Sequence, residues 1–295
     1  MAHTNVERTD LEPNPQIAEI SNLMGKGFLL PAPVLPPERY RSIMLPTPMT
    51  RTQEILPVAV LIYDAKGREV ARHNFGELAR TECAAINADE LGDGQLNDTL
   101  DGEAGHMELV YDFPAATRDV DGWLHALFRY EDKATGHAAE SSFGAHIFNT
   151  VLTWKDEPQS YTDNPPGLST RLFLRTAPGM AVPGLATDGD GANSFCQLIY
   201  PASTPWHGAS QTDLTLHAGD GSVVATQTVN IPCGGSLYWL LSDMFDESQR
   251  ARAAEAGPAG GGYVMIRDTT CRLFGYHGLI AADGAAFSLD HMFGF

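Results

Sequence analysis

The chain repeats itself. The stretch IMLPTPMTRTQEILPVAVLIYDAKGREVAR, residues 43–72, resembles LIYPASTPWHGASQTDLTLHAGDGSVVAT, residues 198–226. Pro46 falls on Pro201, Gly67 on Gly221, and Val70-Ala71 on Val224-Ala225. The phase runs on through ECAAINADEL (82–91) and SLYWLLSDMF (236–245), where Asp89 meets Asp243. A third block sets Leu124-His125-Ala126-Leu127 on Tyr276-His277-Gly278-Leu279, and a fourth sets His146-Ile147-Phe148 on His291-Met292-Phe293. The offset drifts from 155 (201 − 46) to 145 (291 − 146), with each change at a loop. Four blocks in one order describe a tandem duplication, each copy roughly 110–120 residues long.

Each copy reads as β. Residues 56–63 and 212–217 are short apolar strands, closed by turns at Asp64–Gly67 and Gly219–Gly221. The strands at 68–75 and 222–231 follow at once and complete hairpins. Further strands are expected at 106–112, 122–131, 140–153, 171–176, 195–200, 262–267, 272–281 and 286–294. Helical signal is confined to two places. Asn14-Pro15, then Ile17, Ile20, Leu23 and Met24, then Gly25, is a capped short helix, and residues 244–256 end at Gly257-Pro258. The expected fold class is therefore all-β, a tandem duplication of a β-sandwich (immunoglobulin-like or related) with one or two short helices. We divide the chain into an N-terminal extension (1–37), a first repeat (38–154), a linker with room for one strand (155–192), and a second repeat (193–295). The linker is placed by Pro165-Pro166, Pro178-Gly179 and Asp188-Gly-Asp-Gly191.

Composition narrows the function. Nineteen Lys+Arg against 37 Asp+Glu leave a formal charge of −18, which disfavours nucleic-acid binding driven by counterion release. No apolar run approaches the roughly 20 residues that cross a bilayer as a helix, so no membrane partner is expected. Apolar residues make up 43%, enough to fold a core. Residues 1–10 carry no apolar leader, and Cys83, Cys196, Cys233 and Cys271 lack CxxC spacing, so a cytoplasmic protein with free thiols is expected. Lysine is scarce beside arginine, as a GC-rich bacterial genome would dictate.

The usual chemical motifs are missing: no phosphate-binding GxxxxGK[ST], no GxGxxG after a strand, no HExxH, no GxSxG. Asp188–Asn193 superficially suggests a calcium loop, but Ala192 stands where a ligand should be and the terminal Glu is missing. The acidic run from Asp89 to Glu103 reads as an exposed loop, and Cys233 as a turn cysteine without a neighbouring base.

The histidines carry more information. A two-residue turn at Thr135-Gly136 sets His125 opposite His146, and a three-residue loop about Gly284 sets His277 opposite His291; a loop one residue different pairs His277 with Asp290. Two imidazole pairs make a candidate four-histidine set for one transition metal (Fe, Cu, Zn or Ni). Buried structural histidines are the plainer reading of the same residues. Trp206 and His207, on the segment Pro201–Ser210, are candidate ligand contacts. Three functions follow. The first is a soluble binding or interaction scaffold for a small molecule or protein. The others are a His-metal enzyme, redox or hydrolytic, with its site between the repeats, and a self-assembling structural component that forms a homo-oligomer.

Overall fold

The computed structural model describes residues 12–13, 30–48, 55–56, 58–75, 78–79, 82, 84–91, 94–111, 122–147, 152–154, 157–158, 170–175, 193–202, 207–255, 262–268, 271, 273–281 and 286–292. The expected helix at 14–25, the linker turns and Trp206 lie outside them.

Among the described residues, eight strands form the first sandwich: β1 (Leu30–Val34), β2 (Tyr40–Pro48), β3 (Val58–Tyr63), β4 (Glu69–Asn74), β5 (Ile86–Asn87), β6 (Gly105–Tyr111), β7 (Gly122–Asp132) and β8 (Ala138–Ile147). Eight more form the second: β9 (Thr170–Arg175), β10 (Asn193–Ile199), β11 (Thr212–His217), β12 (Val223–Val229), β13 (Ser236–Leu240), β14 (Tyr263–Asp268), β15 (Phe274–Ile280) and β16 (Asp290–His291). The sheet orders are β1-β6-β3-β4 and β8-β7-β2-β5 in one copy, β9-β14-β11-β12 and β16-β15-β10-β13 in the other. Adding eight to each strand number converts the first pair of sheets into the second. The fold is all-β, antiparallel and duplicated.

Alternation builds each core. Val60 and Ile62 of β3, with Met107 and Leu109 of β6, pack toward Met44, Ala126 and Phe128 of the facing sheet. In the second copy Leu214, Leu216, Val264 and Ile266 meet Cys196, Leu198 and Trp239. The hairpin turns match as closely. Gly67 (φ +86°) and Gly221 (φ +85°) both hold the left-handed conformation that a side chain resists. Asp64 Oδ1 accepts from the N–H of Lys66 and Arg68, and Asp220 Oδ1 accepts from the N–H of Ser222. Each first strand then carries a register shift, at Ile62/Tyr63 and at Leu216/His217.

No strand was expected at β1, β2, β5 or β13, and two helical stretches also differ from the sequence reading. The acidic run at 89–103 folds into two short helices, α1 (Ala88–Leu91) and α2 (Leu96–Thr99), because Ala88, Leu96 and Leu100 are buried beneath its charges. The helix expected at 244–256 is present over a shorter range as α4 (Glu247–Glu255), where Asp246 accepts from Gln249 N–H, and a separate short helix α3 (Leu241–Met244) precedes it. β1 reads Leu-Pro-Ala-Pro-Val at the edge of its sheet. Its prolines, which have no N–H to donate, sit where the backbone points away from β6. Their carbonyls accept from outside the sheet, Pro33 from the Tyr130 hydroxyl (3.2 Å) and Pro31 from the Tyr276 hydroxyl (2.6 Å).

Candidate functional site

That last bond joins the two copies, and it is one of several. The core of the first sandwich continues without a break into Phe195, Ile199, Tyr276, Phe287 and Leu289 of the second. Phe287 packs edge-on against Tyr40, centroids 5.1 Å apart, and its carbonyl bonds His137 Nε2 at 2.9 Å. The face of β10 and β15 turned away from the second core thus meets β1 and the first core, while Ala202, in the segment after β10, packs on the outward side of β3 and β6. We call this contact the seam.

Strand β6 places its polar residues there. His106 and Glu108 alternate with Met107 and Leu109, so they leave the sheet on the side away from the first core. Both are wholly buried, with His106 Nε2 3.0 Å from Glu108 Oε1. The same carboxylate oxygen accepts the Ala202 N–H at 2.6 Å, from the segment that follows β10. The Tyr63 ring stacks on His106 at 5.3 Å and 14°. Gln197 Nε2 donates to the Gly105 carbonyl, and Ser236 N–H to the Ala65 carbonyl. The turn Cys233–Gly235 closes on Gly67, where an added Cβ would lie 2.5 Å from the Cys233 oxygen.

Burial sets the charge states. It pushes the Tyr63 hydroxyl far up, with the Glu108 carboxylate adding to the effect. It pushes the Cys233 thiol up to about 12, again with Glu108 second. Cys233 is therefore a neutral thiol at pH 7 and a poor nucleophile.

The four histidines of the expected metal set are spread differently from the expectation. His125 lies opposite Gly144, and His146 opposite Trp123. The loop between β7 and β8 is residues 133–136, not two residues: Asp132 N–H reaches the His137 carbonyl, Asp132 Oδ1 accepts from Ala134 and Thr135 N–H, and Gly136 takes φ +71°. The imidazoles of His125 and His146 lie outside the described residues. In the second copy His277 lies opposite Asp290, and His291 opposite Tyr276, so the two histidines leave opposite faces of the sheet. Burial lowers the pKa of His277, against the raising pull of Asp290. His291 Nδ1 lies 3.2 Å from Asp290 Oδ1. Among the described residues no three His, Cys, Asp or Glu side chains converge as a metal would require.

Next to the seam a loop is tied at its base. The Tyr200 hydroxyl accepts from His207 N–H (2.7 Å) and donates to the His207 carbonyl (2.8 Å), so both ends of segment 200–207 are held together. Gly234 N–H bonds the Tyr200 carbonyl and Cys233 N–H the Gly208 carbonyl, which anchors the loop to the Cys233 turn. His207 itself is exposed. Sequence reasoning singled out this loop and missed His106 and Glu108. HMELV reads locally as an ordinary half-exposed strand, and only a distant partner buries its polar side.

No known protein family matches the chain, and no curated protein matches it. Solved structures are similar over most of their length at low identity. The C-terminal domain of the Streptococcus agalactiae AgI/II polypeptide BspA is 12% identical, covering 86% of this chain and 85% of that one, with a TM-score of 0.22. The C-terminal domain of the Streptococcus pyogenes antigen I/II-family protein AspA is 10% identical, covering 85% and 84%, with a TM-score of 0.21. The BSP domain of a biofilm-associated protein is 10% identical, covering 98% and 61%, with a TM-score of 0.23. Likeness at these scores carries no argument about what this chain does.

Proposed function

We propose that the chain is a binding scaffold whose ligand-contacting element is the loop 200–207. The observation that carries this reading is the pair of hydrogen bonds between the Tyr200 hydroxyl and the His207 backbone, which holds the two ends of the segment together before any ligand arrives. A segment whose two ends are fixed in this way loses less conformational entropy on binding than one with free ends. The duplicated sandwich supplies the rigid support, since the loop springs from the line where the two copies meet. Trp206 and His207 are the contact residues of this reading, and a small molecule or a protein segment is its ligand. The test is to screen the full chain against immobilised glycan and peptide panels, then repeat each hit with Trp206→Ala and His207→Ala. A hit weakened tenfold or more by either change, at an unchanged melting midpoint, supports the reading. Hits indifferent to both changes would overturn it, as would a stoichiometric transition metal in protein purified without a tag.

A further inference from the structure

Four polar atoms of the seam have no hydrogen-bond partner among the described residues. Tyr63 Oη and His106 Nδ1 come from the first sandwich, Gln197 Oε1 and Ser236 Oγ from the second. Their residues are 3%, 0%, 0% and 5% exposed. Buried polar atoms in folded proteins are paired in the great majority of cases. An atom left bare forfeits its full desolvation energy, so four such atoms on two facing surfaces point to something held between them.

Their chemistry says what. His106 Nε2 faces a carboxylate oxygen of Glu108, so Nε2 carries the hydrogen; Nδ1 is then an acceptor in the neutral ring and a donor in the charged one. The Tyr63 hydroxyl is a donor, Gln197 Oε1 an acceptor, and Ser236 Oγ either. A partner serving all four must both give and accept hydrogen bonds and must be small. The walls are close: an added Cβ at Gly67 would lie 2.5 Å from the Cys233 oxygen, and one at Gly235 2.5 Å from the Ala65 oxygen. The second sandwich provides an internal control. There the equivalent stacked pair, His217 and Tyr263, is half-buried, and His217 Nδ1 bonds the Gly221 carbonyl directly at 3.0 Å.

We infer that the seam is a built hydration site, in which ordered internal waters bridge Tyr63 and His106 of one repeat to Gln197 and Ser236 of the other. Each water takes two or more of these atoms as partners, as buried waters do. The two sandwiches are thereby joined by apolar packing at Phe287 and Tyr276 and by water next to Glu108.

A high-resolution crystal structure of the full chain tests this. The expected result is solvent density within about 2.7–3.2 Å of at least one unpartnered atom from each repeat. Direct bonds among the four atoms with no solvent between them would overturn the inference. So would a single peak with oxygen ligands at about 2.3–2.6 Å, which marks a cation. Tyr63→Phe and Ser236→Ala give an independent reading. If each hydroxyl binds water, each change lowers the melting midpoint by about 2–4 °C. An unchanged or raised midpoint in both variants would show hydroxyls with no partner to lose, and would contradict the site.

Discussion

The first sandwich buries Tyr63 stacked on His106, and the second leaves His217 stacked on Tyr263 half in water. The two pairs occupy the same place: each joins the last residue of the hairpin's first strand, just past the register shift, to the strand beside it. The aromatic contact is the same, with tyrosine and histidine exchanged between strands. What differs is the next layer. Strand β6 adds Glu108 two residues on and is covered by the other copy, whereas β14 has Met265 there and is left facing outward. Duplication thus supplied two identical frames, and side chains on one outward face turned one of them into a docking surface.

The comparison can be broken most sharply at Glu108. Glu108→Ala removes the acceptor of a buried histidine and a buried backbone N–H, and should cost about 3–5 kcal/mol by urea denaturation. Met265→Ala, at the matching position, should cost under about 1 kcal/mol. Equal losses would mean that the seam has no special role.

Glycine gives the next largest contrast. Gly67→Ala and Gly221→Ala share the left-handed penalty of about 1–2 kcal/mol. At Gly221 the nearest atom to the new Cβ is Tyr263 Oη at 4.0 Å, but at Gly67 backbone stands at 2.5 Å. Gly67→Ala should therefore lose roughly twice as much as Gly221→Ala, or more, in the same denaturation experiment. Matching losses would place the Cys233 turn farther away than described.

Titration sharpens the difference at the histidines. His277 is held below its ordinary value of 6.5 by burial, so the folded chain resists a proton that the unfolded chain accepts. Its contribution is intact above the ordinary value and is lost as pH falls from there through the lowered one. His277→Gln should flatten the slope of unfolding midpoint against pH in that window, and an unchanged slope would refute the assignment. Asp132, in the first copy, acts lower on the scale. Burial pushes its carboxyl up, but the Arg39 guanidinium and the Thr135 and Ala134 N–H groups outweigh it and hold it at about 2. Its contribution is lost as pH falls from 3.8 toward that value.

The smallest expected effect is a gain. Asp101 has φ +54°, left-handed without being glycine, in the connection from α2 to β6. Asp101→Gly should stabilise by about 0.5–1 kcal/mol, read as a raised melting midpoint.

The duplication was legible because its turn residues are dictated locally. Gly67 and Gly221 must be glycine whatever lies around them, so the repeat shows in the letters. The hairpin registers were not legible in the same way. Asp132 uses its side chain to widen the β7–β8 loop to residues 133–136, and Thr135-Gly136 looks like a two-residue turn only while that side chain is ignored. Two positions of slip keep the strand faces but separate His125 from His146. In the second copy the slip is one position, which sends His277 and His291 to opposite faces. β1 was passed over because its two prolines argue against a strand, although their spacing of two is what an open edge permits. The seam was least legible of all. His106 and Glu108 look solvated within β6, and their burial depends on Ala202 and Gln197, some ninety residues away.

Two copies of one sandwich are fused across this seam into a single cooperative body. Differential scanning calorimetry of the full chain tests it most directly. A fused body melts in one transition whose calorimetric and van't Hoff enthalpies agree. Two resolved transitions, one per repeat, would contradict it.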